Sequence, residues 1–218
     1  MTKRIAVLIS GSGSNLQAII DAVSKKQING EIVLVISNKG DAYGLQRAQQ
    51  ANIETQVLQH TDYDSREAFD KDLSNALIAA KADVIVLAGF MRILTEQFVN
   101  QFQDKMLNIH PSLLPKYKGL NTHQRAIDAK DSHAGCSVHY VTAELDGGPI
   151  AMQGITAIDV TDDAEQLAQK VHRLEHIIYP KVISWICDDQ LTSIDNRLYF
   201  NSELLDETGF KLSLDDVQ

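Results

Sequence analysis

Asn108 and His110 stand at the end of a short apolar run, in MLNIHPSLLPKYKG (106–119), and Pro111 breaks that run directly after them. On a strand, residues i and i+2 point to the same side, so an amide and an imidazole would face one spot. An amide N–H and a protonated imidazole can together hold an oxygen on which negative charge develops. An imidazolium at neutral pH needs support, since free histidine titrates near about 6.5, and a neighbouring carboxylate supplies it. Asp146, in ELDGGP (144–149), is the candidate carboxylate. Asp-Gly-Gly-Pro is equally a turn in its own right.

SGSGSN (10–15) lies between the first apolar run and the first helical pattern. Backbone N–H groups and a helix N-terminus can grip a phosphate at such a turn. It is no dinucleotide fingerprint, because Leu16 stands at the third glycine position, and it lacks the lysine of a Walker loop. Its other reading is a tight strand-to-helix turn with Ser14 or Asn15 as cap. Glu175 falls on the apolar stripe of a long helical pattern, where a carboxyl needs a partner. His172, Glu175 and His176 spell H-x-x-E-H, whose two histidines could share a metal. No third ligand accompanies them, and no metal is expected.

The elements that must position these groups follow from periodicity. IAVLI (5–9), IVLVI (32–36), TQVL (55–58), VIVLA (84–88) and MLNI (106–109) are short apolar runs, with helical patterns near 15–25, 42–51 and 65–80 between them. Near-continuous apolar strands alternating with helices indicate an α/β fold with a doubly wound, mostly parallel sheet and a Rossmann-like N-terminal half. Ligands of such sheets bind at the carboxyl ends of the strands. GCSVHYV (135–141) and PIAMQGITAI (149–158) read as further strands, with Gly154 marking a bulge. Residues 161–189 form a long amphipathic helix capped by Thr161 or Asp162, with Asp163 in its first turn. Two weak strands follow, and residues 201–218 read as a polar, poorly ordered tail.

Net charge is −9, from 20 Lys plus Arg against 29 Asp plus Glu, with no basic stripe, so a nucleic-acid partner is not expected. No apolar run approaches the roughly 18 residues of a membrane span. The opening MTKRIAVLISGSGSN enters a strand directly and lacks a signal-peptide pattern, so a cytoplasmic location without membrane attachment is expected. Cys136 and Cys187 could form one disulfide, but no spacing demands it.

Taken together, LISGSGSNLQAIIDA, SNKGDAYGLQRA, DSREAFD, VIVLAGFMRIL, LNIHPSLLPKYKGLNTH, SVHYVTAELDGGPI and EHIIYP resemble the phosphoribosylglycinamide formyltransferase family, over residues 5 to about 185. The resemblance implies a single formyltransferase domain over 1–200, with a phosphate-binding half (1–100) and a folate and catalytic half (101–200). It implies small-molecule substrates: 10-formyltetrahydrofolate as co-substrate and a glycinamide ribonucleotide as acceptor. A monomer or weak homodimer is expected. Asn108, His110 and Asp146 would be catalytic, the first two around the formyl oxygen and Asp146 supporting His110. Gly13, Ser14 and Asn15 would hold the ribonucleotide phosphate, with His172, Arg173, Leu174 and Glu175 contacting the same substrate. Met91, Arg92, Ile93 and Leu94, together with Thr142, Ala143, Glu144, Leu145 and Asp146, would form the folate pocket, with Asn108 beside it and Arg66 approaching from DSREAFD. Three positions depart from the family pattern: Lys118 in place of proline, Ala143 in place of an acidic residue, and His172 in place of glutamine. A sharp turn beside the site also suggests a cis Leu114–Pro115 bond.

Overall fold

In the computed structural model, which describes residues 2–217, the apolar runs become the middle of an eight-stranded sheet. Its strands are β1 (Lys3–Ile9), β2 (Gly30–Ser37), β3 (Thr55–Val57), β4 (Val84–Leu87), β5 (Met106–His110), β6 (His133–Tyr140) and β7 (Ile150–Ala157). A separate small sheet holds β8 (Leu191–Ile194), β9 (Arg197–Phe200) and β10 (Glu203–Leu204), and β11 (Phe210–Ser213) then returns to the main one. The spatial order is β11-β7-β6-β5-β4-β1-β2-β3. From β3 to β5 every pairing is parallel, β6 pairs antiparallel with both β5 and β7, and β11 runs parallel to β7. This is the doubly wound, mostly parallel α/β sheet that the alternation of strands and helices predicts.

The helices are α1 (Ser14–Ser24), α2 (Tyr43–Gln50), α3 (Arg66–Ala79), α4 (Glu96–Gln101), α5 (Thr122–Asp128) and α6 (Ala164–Cys187). Strand β1 shows why its sequence is apolar throughout. Ile5, Val7 and Ile9 pack with residues of α1, α2 and α6, while Ala6 and Leu8 pack with α3 and α4 on the opposite face. Two helical layers therefore bury alternate residues of one strand. Since β1 lies between β2 and β4, the winding reverses there, and the crevice of an open α/β sheet opens at the carboxyl ends of these strands. The glycine turn leaves β1 at this point, and His110 ends β5 two strands away.

Tyr179 fastens α6 to that region. Its side chain is fully buried, and its hydroxyl lies 2.9 Å from the Leu87 carbonyl and 3.1 Å from that of Leu107, beside Asn108. Tyr179→Phe leaves buried carbonyls short of a donor, so it is expected to cost about 1–3 kcal/mol of stability. A urea midpoint equal to the wild type would contradict this assignment.

Three local expectations need correction. The long helix is capped by Asp163, not by Thr161 or Asp162: the Asp163 carboxylate accepts from Gln166 N, and the Gln166 side chain accepts from Asp163 N. Asp162 is instead occupied by the ammonium of Lys170, 2.6 Å away. Gly154 marks no bulge; the irregularity in this pairing falls between Val138 and His139. Gly154 is needed because a Cβ there would come within 2.9 Å of Leu174 Cβ, so its absence lets α6 lie close on β7. Within the supposed tail, Phe210–Ser213 forms the edge strand β11. Phe210 packs with Trp185 and Phe200 at ring-centroid distances of 5.0 and 4.9 Å, and this aromatic cluster anchors the segment on α6. The Leu114–Pro115 bond is cis, as the turn suggested. Cys136 and Cys187 are both free thiols, and both are buried.

Candidate active site

The pairing of β5 with β6 builds the polar centre. In that register Asn108 lies opposite His139, and His110 lies opposite Ser137. His110 Nδ1 is 3.4 Å from Asp146 Oδ2, and both side chains are more than nine-tenths buried. Asp146 Oδ1 is 3.8 Å from His139 Nε2, and Asn108 Nδ2 is 3.2 Å from the same nitrogen. The three residues singled out in the sequence thus meet through a fourth, which was not singled out. His139 is completely enclosed, and burial pushes its pKa down to about 4.

A loop closes over this group. The Tyr117 carbonyl accepts a hydrogen bond from His110 Nε2 at 2.9 Å, and Gly119 N–H donates to Asp146 Oδ2 at 2.9 Å. Lys118 forms a 2.7 Å ion pair with Glu144, joining this loop to the segment that carries Asp146. Both ring nitrogens of His110 are therefore engaged in this conformation. His123, at the start of α5, was also not singled out. Burial lowers its pKa, as does repulsion from His172 and His110, and its Nδ1 is buried without a hydrogen-bond partner.

The glycine turn lies at the other end of the crevice. Gly13 has φ +70°, and a Cβ there would sit 2.6 Å from the Cα of Gly44, so a side chain is excluded twice. Gly13 is itself the cap of α1, with no side chain bonded to the first turn. Neither Ser14 nor Asn15 therefore fills the capping role that the alternative reading of this turn gave them. Asn15 instead donates from Nδ2 to Glu175 Oε2 at 2.9 Å, and its Oδ1 is buried without a partner. Arg47 braces the turn by donating from Nε to the Ser12 carbonyl at 2.9 Å. A cavity of about 700 Å³ beside Ser14 is bordered by Arg47, Lys25 and Lys181.

Glu175 is 4% exposed, and burial raises its pKa. Its carboxyl therefore holds a proton to higher pH when folded than when unfolded, and folding stability falls as pH rises through that window. Glu175→Gln is expected to match the wild type below about pH 4.5, where the carboxyl is protonated in both states, and to be the more stable protein at neutral pH. Denaturant midpoints at the two pH values test this; a variant less stable than wild type at neutral pH would refute it.

The remaining expected residues divide. His172 is exposed, with Nε2 4.0 Å from Glu175 and its ring stacked on His176. Arg173 is exposed. Leu174 is fully buried in the core, so its side chain faces away from any ligand in the crevice. Thr142, Ala143, Glu144 and Asp146 border a cavity of about 1080 Å³ that Val99, Val141 and Leu114 also line. Met91 and Ile93 are exposed apolar residues on the loop after β4, while Arg92 lies over the Phe69 ring at 5.7 Å. Leu145 is half exposed, Leu94 is partly buried, and Arg66 is exposed at the first position of α3, one turn before Phe69. Among the described residues, no group of three or more His, Cys, Asp or Glu side chains could hold a metal ion, and no helix is long and apolar enough to cross a membrane.

Residues 3–183 match the family model described as formyl transferase. The chain is 48% identical over 206 residues to the phosphoribosylglycinamide formyltransferase of Escherichia coli K12, covering 94% of this chain and 97% of that one. It is 50% identical over 183 residues to the trifunctional purine biosynthetic protein adenosine-3 of Chironomus tentans, covering 83% of this chain and 13% of that protein. The structure of the phosphoribosylglycinamide formyltransferase from Coxiella burnetii, in complex with CHES, superposes with a TM-score of 0.93. Its sequence is 47% identical, and the match covers 97% of this chain and all of that one.

Proposed function

This chain belongs to the formyl transferase family, and from that membership we propose that it transfers the formyl group of 10-formyltetrahydrofolate to the amine of 5'-phosphoribosylglycinamide, the third step of purine biosynthesis, in the cytoplasm. The observation that carries the reading is the 3.4 Å approach of Asp146 to His110, within the crevice that begins at the glycine turn.

The acceptor's phosphate binds at Gly13, Ser14 and Asn15. The first turn of α1, to which no side chain is bonded, supports this, because its amide N–H groups complement an anion, and so do the nearby cations Arg47 and Lys25. Glu175 and the buried Oδ1 of Asn15 supply acceptors for the N–H and hydroxyl groups of the same molecule. The folate lies against Met91–Leu94 and the segment Thr142–Asp146, where exposed apolar side chains and a sizeable cavity suit a planar ring. No metal enters the reaction.

The amine attacks the formyl carbon, and negative charge develops on the former carbonyl oxygen. Asn108 Nδ2–H and His110 Nε2–H stabilise that oxygen. For Nε2 to donate there, it must exchange its present bond to the Tyr117 carbonyl, so the loop shifts when substrates bind. Asp146 balances the imidazolium through Nδ1 and, directly or through water, carries the proton from the attacking nitrogen toward the leaving one. Holding two substrates together supplies much of the remaining acceleration.

The test is to mix purified protein with the ribonucleotide and 10-formyltetrahydrofolate and follow the folate absorbance. Ribonucleotide-dependent loss of the formyl group is expected. Folate turnover that ignores the ribonucleotide would overturn the assignment.

A further inference from the structure

His139 has no part in the steps above, yet it touches two of their participants. Its Nδ1 lies 2.9 Å from the Tyr140 carbonyl, which can only accept, so Nδ1 carries a hydrogen. The imidazole is 2% exposed, and its lowered pKa agrees with a ring that stays neutral near pH 7. Nε2 then offers only a lone pair. Facing it at 3.2 Å, the Asn108 carboxamide must present nitrogen rather than oxygen, because two acceptors would repel. Thus one ring selects between the two orientations of the amide. The charged and titratable groups that act on His139 are Asp146, His110 and Lys118. With the ring neutral, Asp146 Oδ1 at 3.8 Å has no cation on that side, and its charge is left to His110.

We propose that His139 is a positioning residue for formyl transfer: in its neutral Nδ1–H form it holds Asn108 by the amide nitrogen, leaving the second N–H of that amide for the developing oxyanion. This deepens the reading given above and rests on it. Sequence spacing gives no hint of the link, since it depends on the cross-strand register that sets His139 opposite Asn108.

The test uses His139→Leu, His139→Gln, Asn108→Ala and the double variant Asn108→Ala/His139→Leu, assayed beside the wild type. Wild-type turnover checks the formyl-transfer reading separately, so failure there is distinguishable from failure of this proposal. His139→Leu is expected to lower kcat by about 30–100-fold, less than outright loss of an oxyanion donor, with both KM values changed by no more than about threefold. His139→Gln, whose amide oxygen can accept from Asn108, is expected to recover most of that loss. In the Asn108→Ala background, adding His139→Leu is expected to change kcat less than about twofold, because the group it orients is already gone. Equal damage from Leu and Gln, or a full His139→Leu effect without Asn108, overturns the proposal. Should the leucine variants fail to fold, imidazole nitrogen-15 spectra of the wild type decide instead. An Nδ1–H tautomer that persists from about pH 5.5 to 8 is expected, and an Nε2–H tautomer or titration within that range overturns it.

Discussion

His110→Ala is expected to lower kcat by about 10³–10⁴-fold while leaving ribonucleotide affinity within about threefold of the wild type. The size follows from losing together the charge-assisted oxyanion donor proposed above and the side chain that faces Asp146 at 3.4 Å. The selectivity follows from the architecture. The phosphate contacts proposed above fall on the turn after β1 and the start of α1, whereas His110 ends β5, so truncating the imidazole should leave that turn standing. Some stability is lost as well, about 1–2 kcal/mol, because the Tyr117 carbonyl and the Asp146 carboxylate each lose a partner. Calorimetric titration of the ribonucleotide separates the two effects. Near-normal binding with vanishing turnover is the expected result, and wild-type turnover would falsify the assigned chemistry.

Asp146→Asn is expected to lower kcat by about 10²–10³-fold. The substitution is nearly isosteric, and its side-chain oxygen can still accept from Gly119 N–H, so the loop contact survives. What disappears is the charge. An imidazolium at His110 would then lose the carboxylate that lies 3.4 Å away, and the proton carrier proposed above would be gone. If His110 and Asp146 act through their 3.4 Å contact, as proposed, the double variant is expected to be little worse than His110→Ala alone. Rates that multiply, so that the double variant loses the product of both effects, would mean that the two residues work independently.

The strands were legible because a sheet covered on both faces leaves little room for polar residues: IAVLI, IVLVI and VIVLA announce themselves by composition. Asn108 and His110 were legible for the complementary reason, since polar side chains at the end of such a run stand out. Asp146 was harder. Its DGGP context describes a turn equally well, so the residues alone offered it as a candidate; the family likeness implied the role, and the 3.4 Å contact sets it beside His110. The cap of α6 was misread by one residue because Thr161, Asp162 and Asp163 can all cap, and Lys170 decides among them by occupying Asp162. The edge strand β11 was missed because its partner, β7, lies more than 50 residues back in the chain, and Phe210 acquires meaning only against Trp185 and Phe200.

By itself the sequence determined the α/β architecture, the sheet edge at which the strands' carboxyl ends gather, and the residue types available there. Periodicity and the avoidance of buried polar groups are local properties, written within a few residues of one another. The tertiary structure alone decided that His139 joins Asn108 to Asp146 and that a backbone carbonyl of the covering loop holds His110. These depend on strand register and loop path, which arise from contacts between segments far apart in the chain, and a side chain's chemistry is settled by the neighbours such contacts bring to it.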